Sequence, residues 1–473
     1  MKSETNGFVL LVAIIAGFGG FLFGYDSSVV ADMKDQVMQQ LSLSDWQWSK
    51  VVSFSLLGAV LGIPLSGLIS DHLSRRTLLI LVALGFILGT ALCATANDLN
   101  TLLWARVLIG VCIGIASYIT PLFIAEIAPP KKRGALLLIN GLAITFGQAI
   151  AFLTGYFLHD TSSSSWRLLL WIGLIPALIL FFGMFLAPHS PRWILRRYGE
   201  KEALRVLKSI RSPDADIASE MAEIAGLQTL PVKWRQLLKA PIIFVLLVGI
   251  GLGVFQQFSG ISAVMYYGPV IFKSAGFASM KNAILATFGM GLINFIATAF
   301  TLLTVDRFGR RSLLLNGTFI AALGLFVVAA LFYLNVPHLS LAVFLGLSCY
   351  VVGYCISVGS LFWLIVSEIY PLHVRGLAMS IATVSLWGAN FLVSISFLEL
   401  YQAAGEAMTF SLFGGICLLA CAFVYRFIPE TTGVSLEKIE ENLAAGMRVR
   451  DIGQAIETRR FKKQRILTLE EPS

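Results

Sequence analysis

What most constrains this chain is a succession of about twelve apolar runs, each near the roughly 20 residues an α-helix needs to cross a hydrocarbon core. Their limits fall near 8–30, 50–70, 77–96, 100–124, 134–158, 168–187, 241–271, 282–304, 312–334, 339–366, 376–398 and 406–428. The runs are continuous and Gly-rich, without the alternation that marks the strands of a membrane barrel. In lipid every backbone N–H and C=O must be paired internally, so the runs are expected to be helices and the fold class an all-α membrane protein. The first run follows a single Lys2 and lacks a small-residue cleavage pattern, so it reads as a retained span rather than a signal peptide.

Only 13% of the 473 residues are charged and 57% are apolar, whereas soluble domains carry roughly a quarter charged residues. A formal charge of +8 would suit nucleic acid, but its placement argues against that partner. Of 35 Lys and Arg, 29 fall in the N-terminus, the even-numbered connections and the C-terminal tail. Positive residues gather on the cytoplasmic side, so the expectation is a multi-pass protein of the cell membrane with both termini cytoplasmic and the lipid bilayer as its surround. Cys93, Cys112, Cys349, Cys355, Cys417 and Cys421 all lie in apolar runs, where free Cys behaves as a small hydrophobe. No ligand-spaced His accompanies them, and neither metal nor other cofactor is expected.

The chain repeats itself. Glu126-Ile-Ala-Pro-Pro-Lys-Lys-Arg133-Gly134 returns as Glu368-Ile-Tyr-Pro-Leu-His-Val-Arg375-Gly376, and Asp71-His-Leu-Ser-Arg75-Arg76 returns as Asp306-Arg-Phe-Gly-Arg310-Arg311. Pro188 and Pro429 end the sixth and twelfth runs. The shared offset, near half the chain length, predicts two six-helix bundles, residues 1–187 and 241–428. Residues 188–240 form a cytoplasmic linker with short amphipathic helices, and 429–473 a cytoplasmic tail, short helix followed by disorder. Parallel repeats with a solute site between them near the midplane are a transporter architecture.

Beyond these repeats, the sequence carries Phe23-Gly24-Tyr25-Asp26, Ser190-Pro191-Arg192-Trp193, Phe255-Gln256-Gln257-Phe258-Ser259-Gly260-Ile261, the 306–311 motif and Pro429-Glu430-Thr431-Thr432-Gly433, in that placement along the runs. In these the chain resembles the sugar porter family of the major facilitator superfamily, over nearly its whole length. The resemblance implies that fold, transport by alternating access, a small sugar or polyol as cargo and, as in proton-coupled relatives, a proton as partner. It departs from the family pattern at His72, Ser74, His189, Gly141, Ser262 and Leu386, and Gly173 stands where some relatives have Glu.

A sugar needs partners that both donate and accept, because each unsatisfied buried polar group costs about 1–3 kcal/mol, and its C–H faces need an apolar plate. Gln148, Gln256, Gln257, Asn294 and Asn390 supply the first kind within the runs, and Trp363 and Trp387 the second. By resemblance these line the sugar site together with Ser262, Tyr266, Tyr267 and Gly359. Intramembrane amides also hold helices together, with bonds averaging about 0.6 kcal/mol; an adjacent Gln pair in a Gly-interrupted helix favours binding.

Charges inside spans are costly and functional. Asp26 lies about 27 Å along the first helix and Arg106 about 9 Å down the fourth from the opposite side, so their depths agree. Asp26 is expected to carry the proton and Arg106 to be its partner, the alternative being a permanent structural pair in an uncoupled carrier. Asp71, Arg75, Arg76, Glu126 and Arg133, with Asp306, Arg310, Arg311, Glu368 and Arg375, are expected to bridge cytoplasmic helix ends and gate that side. No helix-spaced metal-ligating His pair, nucleophile elbow or phosphate loop is present, which argues against an enzyme. The absence of a charged ring or carbonyl filter argues against a channel, and the short tail against a nutrient sensor on the same fold. The chain is expected to work as a monomer.

Overall fold

The computed structural model describes residues 7–70, 72–129, 132–159, 161–162, 164–212, 216–226, 237–371, 374–432, 434 and 436–453, the side chains of 68, 223, 306, 436 and 437 excepted. Asp71, the Asp306 side chain and the tail beyond 453 therefore lie outside it.

Every apolar run is helical. The first six spans are Gly7–Leu41, Asp45–Ser70, Arg75–Thr95, Leu99–Ile127, Arg133–Leu158 and Ser165–Met184. The first helix continues eleven residues past its apolar run, because Lys34, Gln36, Gln39 and Gln40 extend a helix without needing lipid around them. Lys34 then meets Asp45 at the start of the second helix, 3.3 Å away.

The seventh span is broken into Ile242–Phe258, Ile261–Tyr266 and Gly268–Ser274. Gly260 sits at the first break with φ of 92°, a left-handed conformation that glycine adopts without strain. Met280–Phe308 and Arg310–Leu334 are the eighth and ninth spans. The tenth runs from Leu339–Tyr354 through an irregular turn at Cys355–Gly359, where Ser357 leaves helical geometry, into Ser360–Ile369. Arg375–Phe427 holds the last two spans, which part at Gly405 (φ 80°). The count of twelve follows from that turn.

Between the sixth and seventh spans lie Pro191–Tyr198, Glu200–Ile210 and Ile217–Gly226. Arg211 fastens them to the first bundle: its guanidinium donates to both carboxylate oxygens of Glu220 and to the carbonyls of Ile127 and Ala128 at the end of the fourth helix. This linker end of the molecule carries most of the charge.

Small residues set the closest approach of helices. Gly58 and Gly62 of the second helix lie on the carbonyls of Val107 and Val111, and Gly110 and Gly114 of the fourth lie on those of Ser55 and Ala59. Without an apolar driving force between helices in lipid, this backbone-to-backbone packing is what joins them.

Candidate functional site

The two halves meet where the second helix packs along Arg375–Phe427, the fifth against the eighth, and the first against the later pieces of the broken seventh. The irregular turn of the tenth frees carbonyls that a regular helix would use, and Gln256 takes two of them, donating Nε2 to Val358 O at 2.9 Å and Gly359 O at 3.1 Å. Its Oε1 is left buried without a partner among the described residues. Gln257 accepts from the Ser262 hydroxyl at 2.7 Å across the Gly260 break.

Asn390 donates to the Tyr266 hydroxyl at 3.4 Å and accepts from Ser394 at 3.1 Å. Trp387, one turn before it, presents an Nε1 without a partner among the described residues and receives Phe23 of the first helix edge-on, with centroids 5.0 Å apart. Gln148 and Asn294 join the halves directly, Asn294 Nδ2 donating to Gln148 Oε1 at 3.2 Å. Trp363 is 39% exposed and stands T-shaped on Phe362. Gly359 lies against the Tyr354 ring. Tyr267 is enclosed instead, stacked on Phe397 and donating to Ser394 O at 3.2 Å. Its hydroxyl serves the seam between the seventh and eleventh helices.

Asp26 and Arg106 are in contact. Arg106 Nη1 donates to Asp26 Oδ1 at 2.6 Å, Nη2 to Ser55 Oγ at 3.0 Å and Nε to Val51 O at 3.2 Å. Asp26 is 3% exposed and Arg106 1%. One guanidinium thus ties the first, second and fourth helices. The first helix also packs against Ile261–Tyr266 of the seventh, whose Tyr266 hydroxyl accepts from Asn390.

At the end opposite the linker the halves are closed on each other. Gln402 donates to Asp45 Oδ2 at 2.9 Å, and the second helix packs along Arg375–Phe427 while the first touches Ile261–Tyr266 and Gly268–Ser274 of the seventh.

At the linker end the acids and bases pair within each half. Arg75 lies 3.2 Å from Glu126, and Arg310 lies 3.2 Å from Glu368. Arg76 and Arg311 donate to Phe185 O and Tyr425 O at the ends of the sixth and twelfth spans. Arg375 donates to Tyr370 O at 3.3 Å, and Arg133 opens the fifth helix. Glu430 caps the ninth helix by accepting from the Arg310 and Arg311 N–H groups. Partial burial pushes its carboxyl up, and the hydrogen bonds from Thr432, Arg310 and Arg311 outweigh this and hold it below the ordinary carboxylate range. The corresponding place in the first half is His189, 2.9 Å from the Ser74 hydroxyl, pushed down by partial burial and by Arg76.

Sequence reasoning passed over Ser55, Phe23 and Asn140 as site residues. Ser55 holds Arg106, and Asn140 turns an unpartnered Oδ1 toward the first helix at Gly20. A polar residue in an apolar run was the signal available for Ser55 and Asn140.

Residues 12–443 match the family described as sugar (and other) transporter. The chain belongs to that family. This sugar transporter family member is a membrane transporter of the major facilitator fold, and not an enzyme. It is 34% identical to the galactose-proton symporter of Escherichia coli strain K12 over 458 residues, 95% of this chain and 97% of that one. It is equally 34% identical to the major myo-inositol transporter of Bacillus subtilis over 469 residues, 94% and 97% of the two chains. Among solved structures it resembles the inward open conformation of the xylose transporter XylE from E. coli, with a TM-score of 0.78, 28% identity, and coverage of 92% of this chain and 99% of that one.

Proposed function

We propose that this chain is a proton-coupled symporter of a monosaccharide or related polyol that works by alternating access. The observation that carries the reading is the enclosed Asp26–Arg106 pair, 2.6 Å apart inside the membrane-spanning region. A proton on Asp26 removes the charge that holds Arg106, so the tie between the first, second and fourth helices weakens. Proton and solute drive one cycle if both favour the same form of the protein.

The cluster suits a polyhydroxylated ring. Gln256 offers a free acceptor, Trp387 a free donor and Trp363 an exposed indole face. Relatives named for galactose, myo-inositol and xylose support the same class of cargo. Residues 1–187 and 241–428 are the two moving bodies, with 188–240 and 429–473 on the cytoplasmic face, where both termini lie. The closed end then faces outside, and the form described is sealed there. The cytoplasmic Arg and Glu clusters, from Arg75 to Arg375, steady each bundle and gate that side. One chain suffices, since the site is built within it.

Uptake into proteoliposomes under an imposed inward proton gradient tests the reading, with galactose, xylose and myo-inositol as cargo. Accumulation above equilibrium that a protonophore abolishes is expected; uptake that only equilibrates, or binding without uptake, would overturn it. Gln257→Ala is expected to weaken cargo binding by about tenfold, the equivalent of ~1.4 kcal/mol, because it removes one amide and unpairs Ser262. Unchanged affinity by calorimetry would remove Gln257 from the site.

A further inference from the structure

The first helix carries a second buried carboxyl, which the pair described above leaves unused. Asp32 is 5% exposed, and among the described residues neither of its oxygens meets a hydrogen-bond donor. It faces the fifth helix at Gly155, where any side chain would overlap Asp32 Oδ2, so the glycine makes room for the group. One turn further out a polar layer closes over it. Gln36 donates to His159 O at 3.2 Å and accepts from Trp166 N–H at 2.8 Å, and the Trp166 indole donates to Gln40 at 2.7 Å.

No cation reaches Asp32 among the described residues. Arg106 of the fourth helix is held by Asp26, and Lys34 of its own helix by Asp45. Arg167 of the sixth donates to the carbonyls of Ala94 and Ala96, and Lys273 of the seventh to those of Phe277 and Ala278. The titratable groups near it include Tyr25, whose hydroxyl donates to Leu169 O, His159, the residue one turn beyond Gly155, Asp35 of the same helix, and Lys281 of the eighth, which lies over the Tyr156 ring.

An ion enclosed without donor or counter-charge is far costlier than the neutral acid in the same place. We propose that Asp32 is a second proton-binding site of this transporter, occupied in the outer-sealed form and independent of Asp26. Six residues separate the two carboxyls, about 9 Å along the axis and about 240° around it. Asp26 therefore turns to the fourth helix and Asp32 to the fifth, and each loads without the other. Ionising Asp32 requires water or a donor to reach it, which the Gly155 contact prevents until the first and fifth helices part near their outer ends. A proton on Asp32 thus favours the packed arrangement of the first and fifth helices within the first bundle. The inference deepens the proton-coupled reading and rests on it for the meaning of the second proton, while the site itself stands on packing alone.

Two measurements on the purified full chain test it without any cargo. In the Asp26→Asn background at neutral pH, infrared spectroscopy is expected to show a neutral carboxylic acid band that disappears when Asp32→Asn is added. The amide imitates the neutral acid, so Asp32→Asn alone is also expected to reach the membrane and unfold at or above the parent's temperature. An unchanged band, or a variant that unfolds earlier or fails to accumulate, would overturn the proposal. Neither outcome depends on transport, so failure here is separate from failure of symport, which the proteoliposome assay reads.

Discussion

Asp26→Asn is expected to abolish uphill accumulation while sparing exchange of cargo across the membrane. The amide cannot take up and release the proton, so the imposed gradient has no purchase on the cycle. Its oxygen can still accept from Arg106, whose other contacts, to Ser55 and Val51, are untouched. Breaking a buried ion pair by removing one partner costs about 3–5 kcal/mol, and the retained hydrogen bonds offset part of that, which is why a folded and exchanging variant is expected. The accumulation ratio in proteoliposomes should fall to about one, with exchange within about tenfold of the parent, ~1.4 kcal/mol in barrier terms. Accumulation equal to the parent's would make the pair purely structural and the carrier's coupling, if any, would lie elsewhere.

Gly110→Leu is expected to have the largest effect on folding. A Cβ at this position would overlap the carbonyl of Ser55, which is backbone and cannot swing aside. The second and fourth helices would have to separate along the Gly58/Gly62 and Gly110/Gly114 seam, losing the close packing that substitutes for a hydrophobic drive in lipid. Overpacking alone costs about 1–3 kcal/mol, and the same separation withdraws Ser55 from Arg106. Most of the variant should be lost from the detergent-soluble monodisperse fraction, or melt several degrees below the parent. Gly415→Leu, with nothing within 4 Å of its Cβ position, serves as the control and should behave as the parent does. Equal stability of the two variants would show that the seam does not hold the bundle.

The two effects have one structural root. Ser55 is placed by the glycine seam and in turn holds Arg106, so the packing of the second and fourth helices sets the geometry of the charge pair. That dependence could not be read along the chain. The spacing Gly58-x3-Gly62 and Gly110-x3-Gly114 is present in the sequence, but which carbonyl each glycine meets depends on how two helices cross.

Much of the fold was legible because lipid judges each residue by itself. A run of apolar residues must be a helix there, whatever its neighbours, so the spans, the polar linker and the repeat of Glu126–Arg133 in Glu368–Arg375 were all readable from local pattern. Asp26 and Arg106 could be matched by depth, since 1.5 Å per residue converts sequence position into height. Partners across helices were another matter. Glu126 meets Arg75 and Glu368 meets Arg310, pairs from different helices whose meeting rests on rotation about each axis. The projection of the first helix to Leu41 was hidden because its last turns stand where lipid exerts no selection.

The sequence by itself determined that the chain spans a membrane about twelve times in two related halves, because hydropathy and charge act residue by residue. Only the tertiary structure decided which polar groups find partners and which, like Gln256 Oε1, Trp387 Nε1 and the Asp32 carboxyl, are enclosed without one among the described residues. The reason is that hydrogen bonding and packing are set by the crossing and rotation of helices far apart in the chain, where a single missing side chain such as that of Gly155 creates the space another must fill.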